Sequence, residues 1–304
     1  MSLSMLVVRV GCDLTFECAG PAPALFIMKP SRGSERPIIE EQLEFVPDLA
    51  AEELKDLYGN LLHRVMFAPG PNRIRHDALV EVPSATDKEQ PIGEATPVSA
   101  LSPELLHYVL PSRYCDSDKL ADFAWREFGR FQHGYERAQA ICDWVHNNIE
   151  YRFGSGRPDI SASEIIERGF GVCRDFAHCA IALCRTFSLP ARYVTGHLPD
   201  IGYVDPGTPM DFHAYSEVYI GERWHTFDAR YNVPRIGRIK IAHGRDAVDC
   251  AFSTVFGAAT LSHFQVWAYQ VQPGRVSVGD PVDLSKRLDG TEVLRGLSEL
   301  DVAK

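Results

Sequence analysis

The sequence predicts an α+β chain. An antiparallel, sandwich-like β domain is expected over residues 1–85, and a mixed core of helices and strands over residues 105–272. Three observations lead there. Short apolar runs punctuated by turn residues fill the first 85 positions. Apolar residues then recur at helical spacing in several stretches between Lys119 and Phe187. Finally, two segments rich in strand formers flank Gly221 and Glu222, the pattern of a tight hairpin.

Taken in order, Leu6 to Phe16 reads as a strand, Ala24 to Met28 as a short apolar run, and Glu44 to Val46 as a continuation of the pattern. Gly59 and Asn60, then Pro69 to Asn72, read as turns framing Leu61, Leu62 and Val65 to Phe67, and Ala78 to Val82 closes the set. Such strands need a second layer to cover their apolar faces, so a sandwich or half-barrel is the natural container. Residues 86–104 contain Pro91, Gly93 and Pro97 among charged residues and read as a polar linker. Helices are expected from Lys119 to Phe128, Glu136 to Asn148 and Ser161 to Arg168. After the helix described next, a strand is expected at Arg192 to Gly196, then the hairpin, then a last strand at Phe264 to Val271. Residues 273–304 form a tail with a moderately amphipathic helix around Leu284 to Leu300.

The segment GVCRDFAH at residues 171–178 carries the strongest chemical signal. Gly169 and Gly171 interrupt one helical stretch, and apolar positions from Phe176 to Phe187 mark the next. Cys173 therefore falls in a first helical turn, where free N–H groups and the helix dipole favour a thiolate and lower the thiol pKa. That is the setting of a nucleophile.

A nucleophile needs a base, and the base needs an orienting group. In the predicted hairpin, Tyr219 faces Trp224, Glu217 faces Thr226 and Tyr215 faces Asp228. Alternation then puts His213 on the face of Tyr215 and Asp228, diagonal to the aspartate. Diagonal neighbours lie about 7–8 Å apart, within reach of an imidazole and a carboxylate. Cys173, His213 and Asp228 are thus the candidate catalytic residues: nucleophile, base and orienting acid.

The order Cys173, His213, Asp228, set in GVCRDFAH, DFHAYSEVYI and RWHTFDA, resembles the transglutaminase-like superfamily, and most closely its bacterial branch described as cysteine proteases. Leu110 to Cys115 with Ser117 and Asp118, Leu189 to Gly196, and Ala242 to Asp246 fit the same branch, so the resemblance covers about residues 105–272. The region before it resembles the β-rich domain that often precedes this core. The resemblance implies a papain-related core and a Cys–His–Asp triad, and it fixes no substrate.

Other histidines and acids have plainer readings. His178 lies more than one helical turn from Cys173 and reads as a packing residue. His225 alternates with Trp224 and should face away from Asp228. Asp175 suits the first turn of its helix through the dipole alone. Structural zinc calls for two close ligand pairs. The pairs Cys173/His178 and Cys179/Cys184 share one helix, Cys142 lies on another amphipathic helix, and Cys12 and Cys18 have no histidine nearby, so no metal is expected.

Composition narrows the rest. The chain has 304 residues, enough for two domains, and eight cysteines without regular spacing, which fits a reducing compartment. The start lacks the basic and apolar regions of a signal peptide, and a cytoplasmic enzyme is expected. The net charge of -10 argues against nucleic acid and anionic membrane as partners. No phosphate-binding glycine loop or dinucleotide fingerprint is present, so no cofactor is expected. The expected activity is thiol-dependent acyl transfer on a peptide or protein substrate, with hydrolysis favoured. Transamidation, arylamine acetyltransferase-like transfer and a non-enzymatic binding relative are the alternatives. The oxyanion would meet the Cys173 N–H and a second donor, for which Tyr151 and Trp144 are candidates.

Overall fold

The computed structural model describes residues 5–31, 37–88, 93–203 and 207–289. Six strands open the chain: β1 (Met5–Cys18), β2 (Ala22–Phe26), β3 (Ile38–Val46), β4 (Glu52–Lys55), β5 (Leu61–Phe67) and β6 (Gly70–Pro83). They divide between two antiparallel sheets that form a sandwich, as the alternating apolar runs demand. Phe16, Phe26 and Phe67 meet between the sheets, with ring centroids 5.6–6.0 Å apart. Such aromatic pairs add about 0.5–1.5 kcal/mol each beyond their buried area.

The helical part follows: α1 (Pro103–Leu106), α2 (Ala121–Phe128), α3 (Gly134–Asn148), β7 (Glu150–Tyr151), α4 (Ala162–Arg168), β8 (Phe170–Gly171) and α5 (Cys173–Thr186). Then come β9 (Ala191–His197), β10 (His213–Ile220), β11 (Arg223–Phe227), β12 (Ile239–Gly244), β13 (Ser253–Val255) and β14 (Ala259–Val271). The core sheet has the order β11-β10-β9-β12. Helix α5 packs against β9 and β10, and its buried Phe176, Ala180, Ile181 and Leu183 supply the centre of the main apolar cluster.

The hairpin forms in the expected register, with Tyr219 opposite Trp224 and Glu217 opposite Thr226. Gly221 and Glu222 both have positive φ, 57° and 64°, which matches the turn to the right-handed twist of the strands.

Several expectations need correction. The last strand does not close the catalytic core: β14 pairs with β1 over Val7↔Val271 to Cys18↔Ala259, and β13 pairs with β2. The sandwich sheets are therefore β14-β1-β6-β3 and β13-β2-β5-β4, so each takes one strand from within the expected 105–272 core. Alternation reveals a strand's two faces and is silent on its hydrogen-bonding partner, which here lies some 250 positions earlier in the chain. The charged strand β4 lacks the apolar alternation that would have revealed it. Asn72 bonds back to Ala68 and Gly70, holding the expected turn, although β6 already begins at Gly70.

The 86–104 stretch is more than a connector. The Asp87 carboxylate accepts from Arg238 Nε at 2.8 Å and from the Arg235 N–H at 2.6 Å. Gly93 lies so close to Gly221 that a Cβ there would stand 2.5 Å from the Gly221 Cα. Of the expected tail helix, Leu284–Lys286 forms a single 3₁₀ turn, and positions from 290 onward lie outside the described residues. No helix among the described residues is long and apolar enough to cross a membrane.

Candidate functional site

Parallel pairing of β7 with β8 delivers the chain to Gly171, immediately before α5. A Cβ at Gly171 would lie 2.7 Å from Asp175 Cβ and Oδ2, so the position needs glycine. Asp175, fully buried, turns back to accept the Val172 N–H at 3.0 Å and is paired with Arg174 at 3.0 Å. Its carboxylate thus does more than suit the helix dipole, because it also accepts the N–H of the residue that precedes the helix. Cys173 is the first residue of the helix that results.

Strand β10 brings His213 alongside. The Cys173 thiol donates to the carbonyl of Phe212, the residue before His213, at 3.9 Å. His213 Nε2 is 2.7 Å from Asp228 Oδ2. A carboxylate only accepts, so Nε2 carries the proton and Nδ1 is left as the basic nitrogen. The ring is held by Tyr215, stacked at 6.3 Å, and by Tyr231 at 5.2 Å.

Asp228 is the most heavily bonded group of the site. Its Oδ2 also accepts from Arg238 Nη1 at 2.9 Å, and its Oδ1 accepts the backbone N–H groups of Arg230 and Tyr231 at 3.2 and 3.4 Å. Burial alone would raise this carboxyl, but His213 and Arg238 outweigh it and hold Asp228 well below the usual carboxylate range. Burial lowers the His213 imidazole against the pull of Asp228, so the ring is neutral near neutral pH.

The thiol behaves against expectation. Burial, then the Asp211 carboxylate, push the Cys173 thiol up to about 12, against backbone N–H groups of Ala214 and Arg174 that favour the thiolate. The helix terminus is present, and it is outweighed by desolvation and a neighbouring negative charge. In this state Cys173 is a neutral thiol.

Cys173, His213, Tyr151, Asp211, Arg230 and Tyr231 share the wall of one cavity of about 780 Å³. The cavity lies where core and sandwich meet, because Ser253, Thr254 and Ala268 of β13 and β14 complete its wall. The 197–211 loop lines it through Leu198, Asp200 and residues 208–211. Of the two candidate oxyanion donors, Tyr151 is in the wall. Trp144 packs edge-on against Phe123 and Phe128, at 5.0 and 6.3 Å, in the helical layer. It does not line the cavity, because its helical face is the apolar one.

His178 is sandwiched between Tyr114 and Tyr193 at 5.0 and 5.1 Å and accepts the Ala247 N–H, a packing role as expected. His225 is buried and bonds the Ile220 carbonyl at 3.0 Å, away from Asp228. No cluster of metal-ligating side chains occurs among the described residues. Arg238, Asp87 and Asp211 were not singled out by the sequence. Arg238 and Asp87 have no spacing signal, and Asp211 is one of three aspartates in the 197–211 loop, two positions before His213.

Residues 126–229, which include all three candidate catalytic positions, match the model of the transglutaminase-like superfamily. A solved structure from Cytophaga hutchinsonii, described as that of a candidate cysteine protease, is 34% identical. It superposes with a TM-score of 0.80, covering 90% of this chain and 93% of that one. An uncharacterized protein of Mycobacterium leprae is 28% identical over 115 residues, 37% of this chain and 41% of its own length. The chain thus spans about two fifths of that curated relative. The periplasmic domain of TgpA from Pseudomonas aeruginosa is 15% identical, with a TM-score of 0.36 over 76% of this chain and 88% of that one.

Proposed function

Because the chain belongs to the transglutaminase-like superfamily, we propose that it is a thiol-dependent enzyme that hydrolyses peptide or carboxamide bonds, with Cys173 as nucleophile, His213 as general base and acid, and Asp228 orienting His213. The observation that carries this reading is the convergence of Cys173 and His213 on one cavity, with Asp228 bonded to the far nitrogen of His213 at 2.7 Å.

In this mechanism the Cys173 proton passes to His213 Nδ1, and the thiolate sulfur bonds to the substrate carbonyl carbon. The negative oxygen that forms is met by the Cys173 backbone N–H, which opens the helix and has no partner within it. Tyr151, whose hydroxyl burial keeps protonated by pushing it up to about 12, is suited to be the second donor. His213 returns the proton to the departing amine, leaving a thioester on Cys173. Water, deprotonated by the same nitrogen, then releases the acid.

Hydrolysis is favoured because the cavity is wide and bordered by the polar, proline-broken loop ending at Asp211, which is poorly suited to excluding water from a thioester. Transamidation has one observation on its side, the aromatic wall of Tyr151, Phe153 and Tyr231. Incubation with a glutamine-containing protein mixture and excess labelled primary amine separates the two. New N-termini or ammonia without label, both absent in Cys173→Ala, are the expected result. Cys173-dependent amine incorporation exceeding hydrolysis makes the chain a transglutaminase, and no Cys173-dependent product overturns the enzymatic reading.

A further inference from the structure

Among the groups around Cys173, Asp211 stands apart. Its carboxylate opens into the cavity beside the thiol, and its Oδ1 accepts the N–H of the adjacent Phe212 at 2.7 Å. No lysine, arginine or histidine pairs with it among the described residues. The other acids near the site are matched: Asp228 by His213 and Arg238, Asp200 by Arg235, Asp175 by Arg174. An unpaired carboxylate on the wall of the cavity that holds the thiol opposes ionisation of the nucleophile, and it remains open to an arriving group. Such a group is stabilised when a cation arrives.

We propose that Asp211 is a specificity-determining residue that receives a cationic group of the substrate, an amine or guanidinium borne close to the scissile carbonyl, and that this pairing releases Cys173 to ionise. The proposal rests on Cys173 being the nucleophile. A bound cation cancels the charge that disfavours the thiolate, so the thiol proton moves to His213 Nδ1 only when a matching substrate is seated. Partial desolvation at the cavity wall pushes the Asp211 carboxyl up to about 6, a shift that a neighbouring cation would reverse. The same wall holds one opposing feature. Arg230 lies over the Tyr151 ring at 3.6 Å and the Tyr231 ring at 5.1 Å. Asp211 is nevertheless the leading charged neighbour of the sulfur, and Arg230 is not among the main ones.

Charged thiol reagents test this without a substrate. The Cys173 thiolate attacks the sulfenyl sulfur of a methanethiosulfonate, forming a mixed disulfide and releasing methanesulfinate. Rates would be measured with the aminoethyl (cationic), methyl (neutral) and sulfonatoethyl (anionic) reagents, each normalised to its rate with free mercaptoethanol. Mapping of the Cys173 peptide separates its labelling from that of Cys250, which lines the same cavity. The expected result is a cationic reagent faster than the anionic one by about tenfold or more, the size of roughly one pKa unit of interaction. The preference should collapse in Asp211→Asn, where the neutral reagent should also react faster, and persist in Asp211→Glu. High salt should shrink it in the unaltered protein, a measurement that needs no variant. Equal rates, a faster anionic reagent, or an unchanged preference in Asp211→Asn would overturn the role of Asp211 while leaving the nucleophile intact. Failure of all three reagents at Cys173 would overturn the nucleophile as well.

Discussion

Arg238 bonds the same oxygen of Asp228 that holds His213, at 2.9 Å against 2.7 Å. The orienting acid is thus itself oriented, and Arg238 is anchored in turn by Asp87 at 2.8 Å. All of Arg238 but 3% is buried. Removing a partner from such an arrangement leaves a charge without compensation, so the effects of substitutions should depend on one another.

Arg238→Gln should lower stability by about 3–5 kcal/mol, the usual cost of breaking a buried pair from one side. In Asp87→Asn/Arg238→Gln the two losses should fall well short of their sum, because both single changes disrupt one network. Denaturant unfolding of the four proteins measures this, and strict additivity would show that the two side chains act independently.

Asp228→Asn should cut turnover by about 10²–10⁴, since an amide can present a donor to Nε2 and leave His213 in the wrong tautomer. It should also melt earlier than the unaltered protein, because Arg238 loses half of its charge compensation. Activity close to normal in a folded variant would move the orienting role to another residue.

Cys173 should alkylate slowly at neutral pH for a catalytic cysteine, with a rate that climbs as pH rises through 8 and 9 towards the value of about 12 set by burial and Asp211. It should still be labelled first. The other seven cysteines are all buried, while Cys173 is only partly buried and lines the cavity. Iodoacetamide mapping across pH checks both statements; a rate already level at pH 7 would mean an ionised resting thiol.

Stability should decline as pH falls from 6.5 towards 3. His197 is 1% exposed, neither ring nitrogen has a partner, and burial lowers its pKa from 6.5 to about 3. The unfolded chain therefore binds a proton in this window that the folded protein refuses. Its contribution is complete above 6.5 and lost as acid approaches 3. His63 and His213 are shifted in the same direction. The depressed carboxyl of Asp228 acts separately, below its ordinary value of 3.8. Melting temperatures between pH 8 and pH 4 test this, and His197→Phe, which puts a ring without protons to gain beside Phe212, should flatten part of the slope.

The legible part of this chain was local. Cys173 at a helix start, and His213 facing Asp228 across a hairpin of known register, follow from 3.6- and 2-residue periods and a two-residue turn. The partner of β14 and the anchoring of Asp87 by Arg238 join positions about 150–250 apart, and no local period encodes such pairings. The thiol's protonation departs from the sequence expectation for a related reason. The helix terminus is visible in sequence, whereas the burial and the Asp211 charge that oppose it exist only once the loop has folded over the site.

The pairing of β1 with β14 also sets an order of events. Strand β1 is made long before β14, so one of its two edges stays open until residues 259–271 have followed. Closing that edge is a long-range search, and contacts of this kind form slowly. Strand β14, which closes it, supplies Ala268 to the cavity, and β13, which pairs with β2, supplies Ser253 and Thr254. A chain made only as far as β12 therefore already contains Cys173 and His213 while the wall of their cavity is incomplete. The cavity is among the last features to be assembled, and a fragment cut after residue 252 would carry Cys173, His213 and Asp228 without its finished wall.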